Sequence, residues 1–199
     1  MPLYLVRHGE TDWNREGRFQ SRTDVPLNAR GIAQAEAIRA ELDSRKVRFN
    51  LAVCSPLGRA QHTARIILAG KGLDAVVVPA FTEVEFGGFE GQRGVDLQEQ
   101  YGPAYTAWRE SQYTQVGPAG GESILTAAER VRGPLMGLVE ASAKGNVLVV
   151  AHQAINMAMK VVLSGATDVA TAATFRQSNA QVDIWDMTAG QRLEQFSVE

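Results

Sequence analysis

Several scarcities bound what this 199-residue chain can do. It has one cysteine, Cys54, so no internal disulfide can form, and the composition suits a reducing compartment. No apolar run reaches the roughly 18 residues needed to span a bilayer, and no basic segment leads into a long apolar stretch and a cleavage site. The expected location is therefore the cytoplasm. There is almost no excess charge, since 20 Lys and Arg face 22 Asp and Glu for a formal −2. That argues against nucleic acid and membrane as partners, and any anion must be held by a local cluster. Histidine is also scarce, with only three in the chain.

What is present is ordinary globular material, 45% hydrophobic and 21% charged, enough for one full core and too little for two. One domain over residues 1–199 is expected. Leu3-Tyr4-Leu5-Val6 reads as a short buried strand. Asn28 reads as an N-cap, followed by Ile32, Ala35, Ala37, Ile38 and Leu42 at helical spacing. A strand at 51–54, a helix at 57–69 closed by Gly70, and a strand at 75–78 stopped by Pro79 follow. The segment 86–121 differs, being rich in Gly, Gln and aromatics, with short helices expected at 95–101 and 104–111. A long helix is expected at 123–143, the clearest buried strand at 147–151, and an apolar helix at 154–163. Alternation at 181–185 and 192–196 predicts a closing hairpin around 188–190.

Strands alternating with helices predict an α/β domain of three layers, α/β/α, with a mainly parallel sheet covered on both faces. Ligands of such sheets bind at the strand carboxyl ends, where strand order reverses. Arg7, His8, Gly9 and Glu10 follow the first strand, Arg59 opens the helix after the second, Glu83 follows the third, and His152 follows the fourth. Arginine offers a planar fork of donors that suits a phosphoryl group. A neutral histidine can attack phosphorus through one ring nitrogen while its other N–H is held by a carbonyl. Gly9 is expected to let the backbone approach a ligand and turn sharply. A carboxylic acid held neutral near a polyanion can protonate a leaving alkoxide.

Each residue also has a plain structural reading. A histidine after a strand is usually a hydrogen-bonded structural residue. That reading weakens for His8, flanked by Arg7, Gly9 and Glu10, and for His152, which repeats the placement. It stands for His62, within a helix, and Cys54 reads as core. Arg30, Arg39 and Arg65 read as solvated helix charges. Trp13, Trp108 and Trp185 fit either core or pocket wall, and Glu85 lies close enough to Glu83 to leave the identity of the acid open.

These residues carry a resemblance. Leu5-Val6-Arg7-His8-Gly9-Glu10-Thr11, with Trp13-Asn14, resembles the signature of the histidine phosphatase superfamily, which includes the phosphoglycerate mutases. Further blocks resemble that family in the same order: Gly17 through Leu27, Ser55-Pro56-Leu57-Gly58-Arg59-Ala60, Glu83 through Gly91, Gly121-Glu122-Ser123, and Val149-Val150-Ala151-His152. The resemblance implies a phosphoglycerate mutase-like fold with His8 as a nucleophile that becomes phosphohistidine. It implies that Arg7, Arg59 and His152 bind the phosphoryl oxygens, that Asn14 adds a donor, and that Glu83 is the general acid and base. It implies neither a metal nor another cofactor. Gln20, Ser21, Arg22 and Gln153 are further candidate substrate contacts. Ser21 stands where the family often has glycine, and Gln153-Ala154 replaces a frequent Gly-Gly, resembling the His-Gln-Ala run of fructose-2,6-bisphosphatases.

The expected substrate is a small phosphorylated metabolite, and a phosphatase is favoured over a cofactor-dependent mutase. A mutase needs a second phosphate site, whereas 86–121 offers only Arg93 and Arg109 as cations. The aromatics Phe86, Phe89, Tyr101, Tyr105, Trp108 and Tyr113 either line a pocket or pack that segment. A silent binder of a phosphorylated partner is a further alternative, set back by the presence of both His8 and Glu83. A metallohydrolase using His8, Glu10 and His152 lacks any supporting motif. The oligomeric state is open, and a homodimer is compatible with the sequence.

Overall fold

The computed structural model describes residues 2–112, 114–117 and 119–198. Its strands are β1 (Pro2–Arg7), β2 (Phe49–Cys54), β3 (Val76–Val77), β4 (Asn146–Ala151), β5 (Gln181–Asp186) and β6 (Gln191–Ser197). They form one sheet in the order β3-β2-β4-β1-β5-β6. The first four are mutually parallel, β5 runs antiparallel to β1, and β6 antiparallel to β5. The helices are α1 (Asp12–Arg15), α2 (Ala29–Ser44), α3 (Gly58–Leu68), α4 (Gly94–Tyr101), α5 (Pro103–Ser111), α6 (Ile124–Ser142), α7 (Gln153–Ser164) and α8 (Val169–Ala173).

The continuous apolar runs of β1 and β4 exist because both faces of the sheet are covered. Side chains alternate across a strand. Leu3, Leu5, Val147, Val149 and Ala151 therefore meet α6 and α7, through residues such as Val131 and Ile155. Tyr4, Val6, Leu148 and Val150 meet α2 and α3 on the other face, through Ile38, Leu42, Ala64 and Ile67. Cys54 belongs to this second core. α2 and α3 carry the chain outward to β2 and β3, and α6 returns it to β4 beside β1. Winding reverses there, which opens a crevice at the carboxyl ends of β1 and β4.

Most elements fall where the pattern predicts, and two differ for physical reasons. The expected strand at 75–78 shrinks to Val76–Val77, whose side chains are exposed. It is an edge strand with one partner, and Pro79 begins a 3-10 turn that takes Val78 as its cap. The hairpin forms, but β6 is the opposite edge and Leu193 faces solvent, so its alternation does not mark a half-buried face. Trp185 lies in the main core against Phe175, while Trp13 is half-buried.

Segment 86–121 has its own small core of Phe89, Leu97, Tyr105 and Trp108, with Phe19, Phe86 and Tyr101 packed on it. These aromatics pack the segment, and Phe86 and Tyr105 also line the cavity that holds His8; Tyr113 lies outside the described residues. The segment is fastened to the domain where Glu122 N–H donates to Glu85 O (2.7 Å) and Ile124 N–H to Gln112 O (3.2 Å). Among the described residues no helix is long and apolar enough to cross a membrane.

Candidate active site

A cavity of about 380 Å³ opens at the carboxyl ends of β1 and β4 and is lined by Arg7, His8, Asn14, Gln20, Glu83 and Gln153, among others. A larger surface hollow, of about 510 Å³, lies around Asp43, Lys46 and Phe49 at the amino end of β2, away from the strand ends where these groups converge.

His8 is 3% exposed. Its backbone is clamped between strands, the N–H donating to Ala151 O (3.0 Å) and the C=O accepting from Ala180 N–H (3.2 Å). The ring Nδ1 lies 2.7 Å from Gly9 O. A carbonyl can only accept, so Nδ1 carries the proton and Nε2 keeps its lone pair. Burial, followed by the nearby Arg59 and Arg7 charges, holds the His8 pKa well below the ordinary imidazole value. The ring is therefore neutral at neutral pH, with a lone pair on Nε2.

Close by are Arg7, which lines the cavity, and Arg59 and His152, which are buried and outside its lining. Arg7 donates from Nη1 to Gln177 O (2.8 Å). Arg59, 1% exposed, donates from Nη2 to Ser21 O (2.8 Å) and from Nη1 to Thr23 O (3.0 Å). Burial pushes both guanidinium pKa values down to about 10, with Glu83 opposing, so both remain charged at neutral pH. His152 is fully buried with its ring 5.0 Å from that of His8, and burial, then Arg59, holds it neutral as well. Its Nε2 shares a 2.7 Å hydrogen bond with Ser55 Oγ. Among the described residues the Arg7 Nε, Arg59 Nε, His152 Nδ1 and Ser21 Oγ atoms are buried without a hydrogen-bond partner. Such concentrated unpaired polarity fits an anion-binding site.

Glu83 faces the same cavity and is 4% exposed. Its carboxylate accepts from Val84 N–H (2.8 Å), Ile155 N–H (2.9 Å) and Ala154 N–H (3.2 Å). Burial raises its pKa, and these bonds and Arg59 only partly offset that. The loop before it is held by Arg130, which donates to Ala80 O (2.6 Å) and Thr82 O (3.1 Å) while pairing with Glu122. Glu85 is exposed and outside the cavity lining, so of the two carboxylates Glu83 is the one in the site.

The other sequence candidates are placed unevenly. Asn14 and Gln153 line the cavity, as does Gln20, whose carbonyl accepts from Thr11 Oγ1 (2.8 Å). Ser21 is wholly buried behind the wall and presents its carbonyl to Arg59. Arg22 is exposed, outside the lining, and 3.9 Å from Glu85. Gly9 has a different reason from the expected one. A side chain there would lie 2.3 Å from Gly31 O, and one at Gly31 would lie 2.1 Å from Glu10 O. The two glycines let α2 press against the loop after β1; close backbone packing, not a sharp turn, demands them. The Glu10 carboxylate turns to Asn28 Nδ2 (2.9 Å), and among the described residues no group of three or more His, Cys, Asp or Glu is placed to hold a metal ion.

Sequence reasoning missed Ser55, Arg176 and Asn179. Asn179 Nδ2 donates to Asn14 Oδ1 (2.9 Å) and His8 O (3.2 Å), and Arg176 lines the cavity. Both precede β5. Because β5 is antiparallel, its amino end lies beside the carboxyl ends of the parallel strands. The predicted hairpin was the available signal.

Over 155 residues the chain is 37% identical to the adenosylcobalamin/alpha-ribazole phosphatase of Escherichia coli, covering 78% of this chain and 75% of the relative. It is also 37% identical over 155 residues to a 2,3-bisphosphoglycerate-dependent phosphoglycerate mutase of Cytophaga hutchinsonii, covering 75% and 71%. The solved structure of mycobacterial glucosyl-3-phosphoglycerate phosphatase with VO3 superposes with a TM-score of 0.82 at 30% identity, covering 92% and 91%. Residues 3–197 match the histidine phosphatase superfamily (branch 1), and the chain belongs to that family.

Proposed function

We propose that this protein is a phosphatase that hydrolyses a small phosphomonoester through a phosphohistidine on His8. The observation that carries the reading is the His8 ring itself, with Nδ1–H donating to Gly9 O and with Nε2 making no hydrogen bond among the described residues, in the cavity that Glu83 and Arg7 also line. Nε2 attacks phosphorus and the ester P–O bond breaks. Glu83 gives its proton to the departing oxygen. The Glu83 carboxylate then takes a proton from water, whose oxygen forms the new P–O bond as P–Nε2 breaks, releasing inorganic phosphate and restoring His8. Arg7, Arg59 and His152 stabilise the charge on the transferring group, a role that a metal ion fills in other phosphoryl-transfer enzymes.

The alternative is a mutase, which returns the phosphoryl group to an acceptor instead of water; the Cytophaga hutchinsonii relative favours it. The domain is proposed to act in the cytoplasm, without metal. The test is phosphate release from a panel of phosphomonoesters in chelator, with His8→Ala alongside. Release by the wild type alone supports the phosphatase. Release in neither, with isomerisation of 3-phosphoglycerate when its bisphosphate is added, contradicts it in favour of the mutase.

A further inference from the structure

Cations elsewhere around the cavity are engaged by protein groups. Arg18 lines it but pairs with Glu16 (2.6 Å) and donates to Gly91 O (2.7 Å). Arg93 makes a two-point contact with Asp96 (2.8 and 2.6 Å) on the surface. Arg109 and Arg176 differ. Both line the cavity that holds His8, both are half-buried, and among the described residues neither guanidinium donates a hydrogen bond or has a carboxylate partner. They come from α5 and from the stretch before β5, so only the fold brings them together. Arg109 is held over the Phe19 ring, 5.8 Å from its centroid, in a cation–π contact. The two charges feel each other, since the Arg176 pKa is lowered first by burial and then by Arg109. Two half-buried like charges oppose folding unless an anion offsets them.

We infer that Arg109 and Arg176 form a second anion subsite, so that the substrate is a phosphomonoester whose organic part carries another anionic group, a carboxylate or a second phosphate. Guanidinium forks suit either group. The same cavity is lined by Phe19, Phe86 and Tyr105, apolar surface for a short carbon skeleton. The count of cations in 86–121 missed the subsite because Arg176 lies far along the chain. This inference rests on the phosphatase reading for its substrate class, while the subsite itself is tested by binding alone.

The experiment is calorimetric titration of the His8→Ala protein, which keeps esters intact, with glycerol 3-phosphate, 3-phosphoglycerate and glycerol 1,3-bisphosphate, the last having a second phosphate and no carboxylate. A charge-assisted contact is worth about 1.5–3 kcal/mol, so the esters with a second anion should bind about ten- to a hundredfold tighter than glycerol 3-phosphate. The tighter of the two identifies carboxylate or phosphate. The advantage should vanish when Arg109→Gln or Arg176→Gln is added, and Arg176→Glu should shift preference toward phosphoethanolamine. A general loss of structure would weaken all esters alike and leave their ratio unchanged. Equal binding of the three esters, or an advantage that survives both substitutions, overturns the inference. Failure of the wild type to hydrolyse any of them contradicts the phosphatase reading, while the dissociation constants still decide the subsite.

Discussion

The Glu83 carboxylate accepts the backbone N–H of Ile155 at 2.9 Å, which fastens the proposed acid to the first turn of α7, directly after His152. Two opposing effects meet there. The N–H groups at a helix start favour a carboxylate, whereas full burial favours the neutral acid, and burial prevails. A bound phosphoryl group adds negative charge nearby and raises the pKa further.

Glu83→Gln should therefore lower turnover on alkyl phosphates by about a hundred- to ten-thousandfold. In a single-turnover phosphorylation assay the loss should shrink with 4-nitrophenyl phosphate, whose leaving group needs no proton. The wild type requires protonated Glu83, so its kcat/KM should fall as pH rises through the raised pKa, and the Gln variant should lack that limb. Equal losses on both substrates would remove Glu83 as the acid.

Ser55 is the neighbour that keeps His152 in place. Ser55→Ala leaves a buried imidazole nitrogen without its 2.7 Å partner, at a cost of about 1–3 kcal/mol. For a chain of this length that corresponds to a fall in Tm of roughly 2–12 °C by calorimetry. An unchanged Tm would mean that the bond contributes nothing to holding the ring.

Gly31→Ala reverses a familiar rule. Alanine in a helix is usually better than glycine by about 1 kcal/mol. At Gly31 the added carbon meets Glu10 O at 2.1 Å, so the variant should be destabilised by about 1–3 kcal/mol or more. Urea unfolding reads the difference directly, and a stabilised variant would contradict the close packing of α2 on the loop after β1.

Acid should destabilise the fold through its two site histidines. Both have folded pKa values well below 6.5, so the unfolded chain binds more protons as pH falls below about 6.5, and stability falls with it. Glu83 acts in the opposite sense: its raised pKa adds stability that is lost as pH rises above 4.5. Tm should therefore drop between pH 6.5 and 5, and His8→Asn should flatten part of that slope. In Glu83→Gln, which removes the opposing titration, the drop should be steeper, and a Tm of that variant that holds level over the interval would show that the two rings are not buried neutral.

The parallel core and the groups at its strand ends were legible because both follow from local pattern. Apolar runs of four and five residues marked β1 and β4, and Arg7, His8 and His152 stood directly after them. Three kinds of feature were not legible. Gly9 and Gly31 are matched by a contact between elements that no spacing reveals. Arg176 and Asn179 reach the site through the antiparallel direction of β5. The buried Lys160 and Asp183 pair, which also binds Phe175 O, lies within segments whose apolar pattern gives no sign of charge. In each case the partner is distant in sequence, and periodicity describes only neighbours.

The central claim is that His8 carries the phosphoryl group, and trapping tests it most directly. The enzyme would be mixed with a ³²P-labelled phosphomonoester, quenched in alkali within one turnover, digested and mapped. The account predicts an acid-labile, alkali-stable label on the peptide containing His8 that is absent from His8→Ala. A label on another residue, or undiminished turnover by His8→Ala, would contradict it.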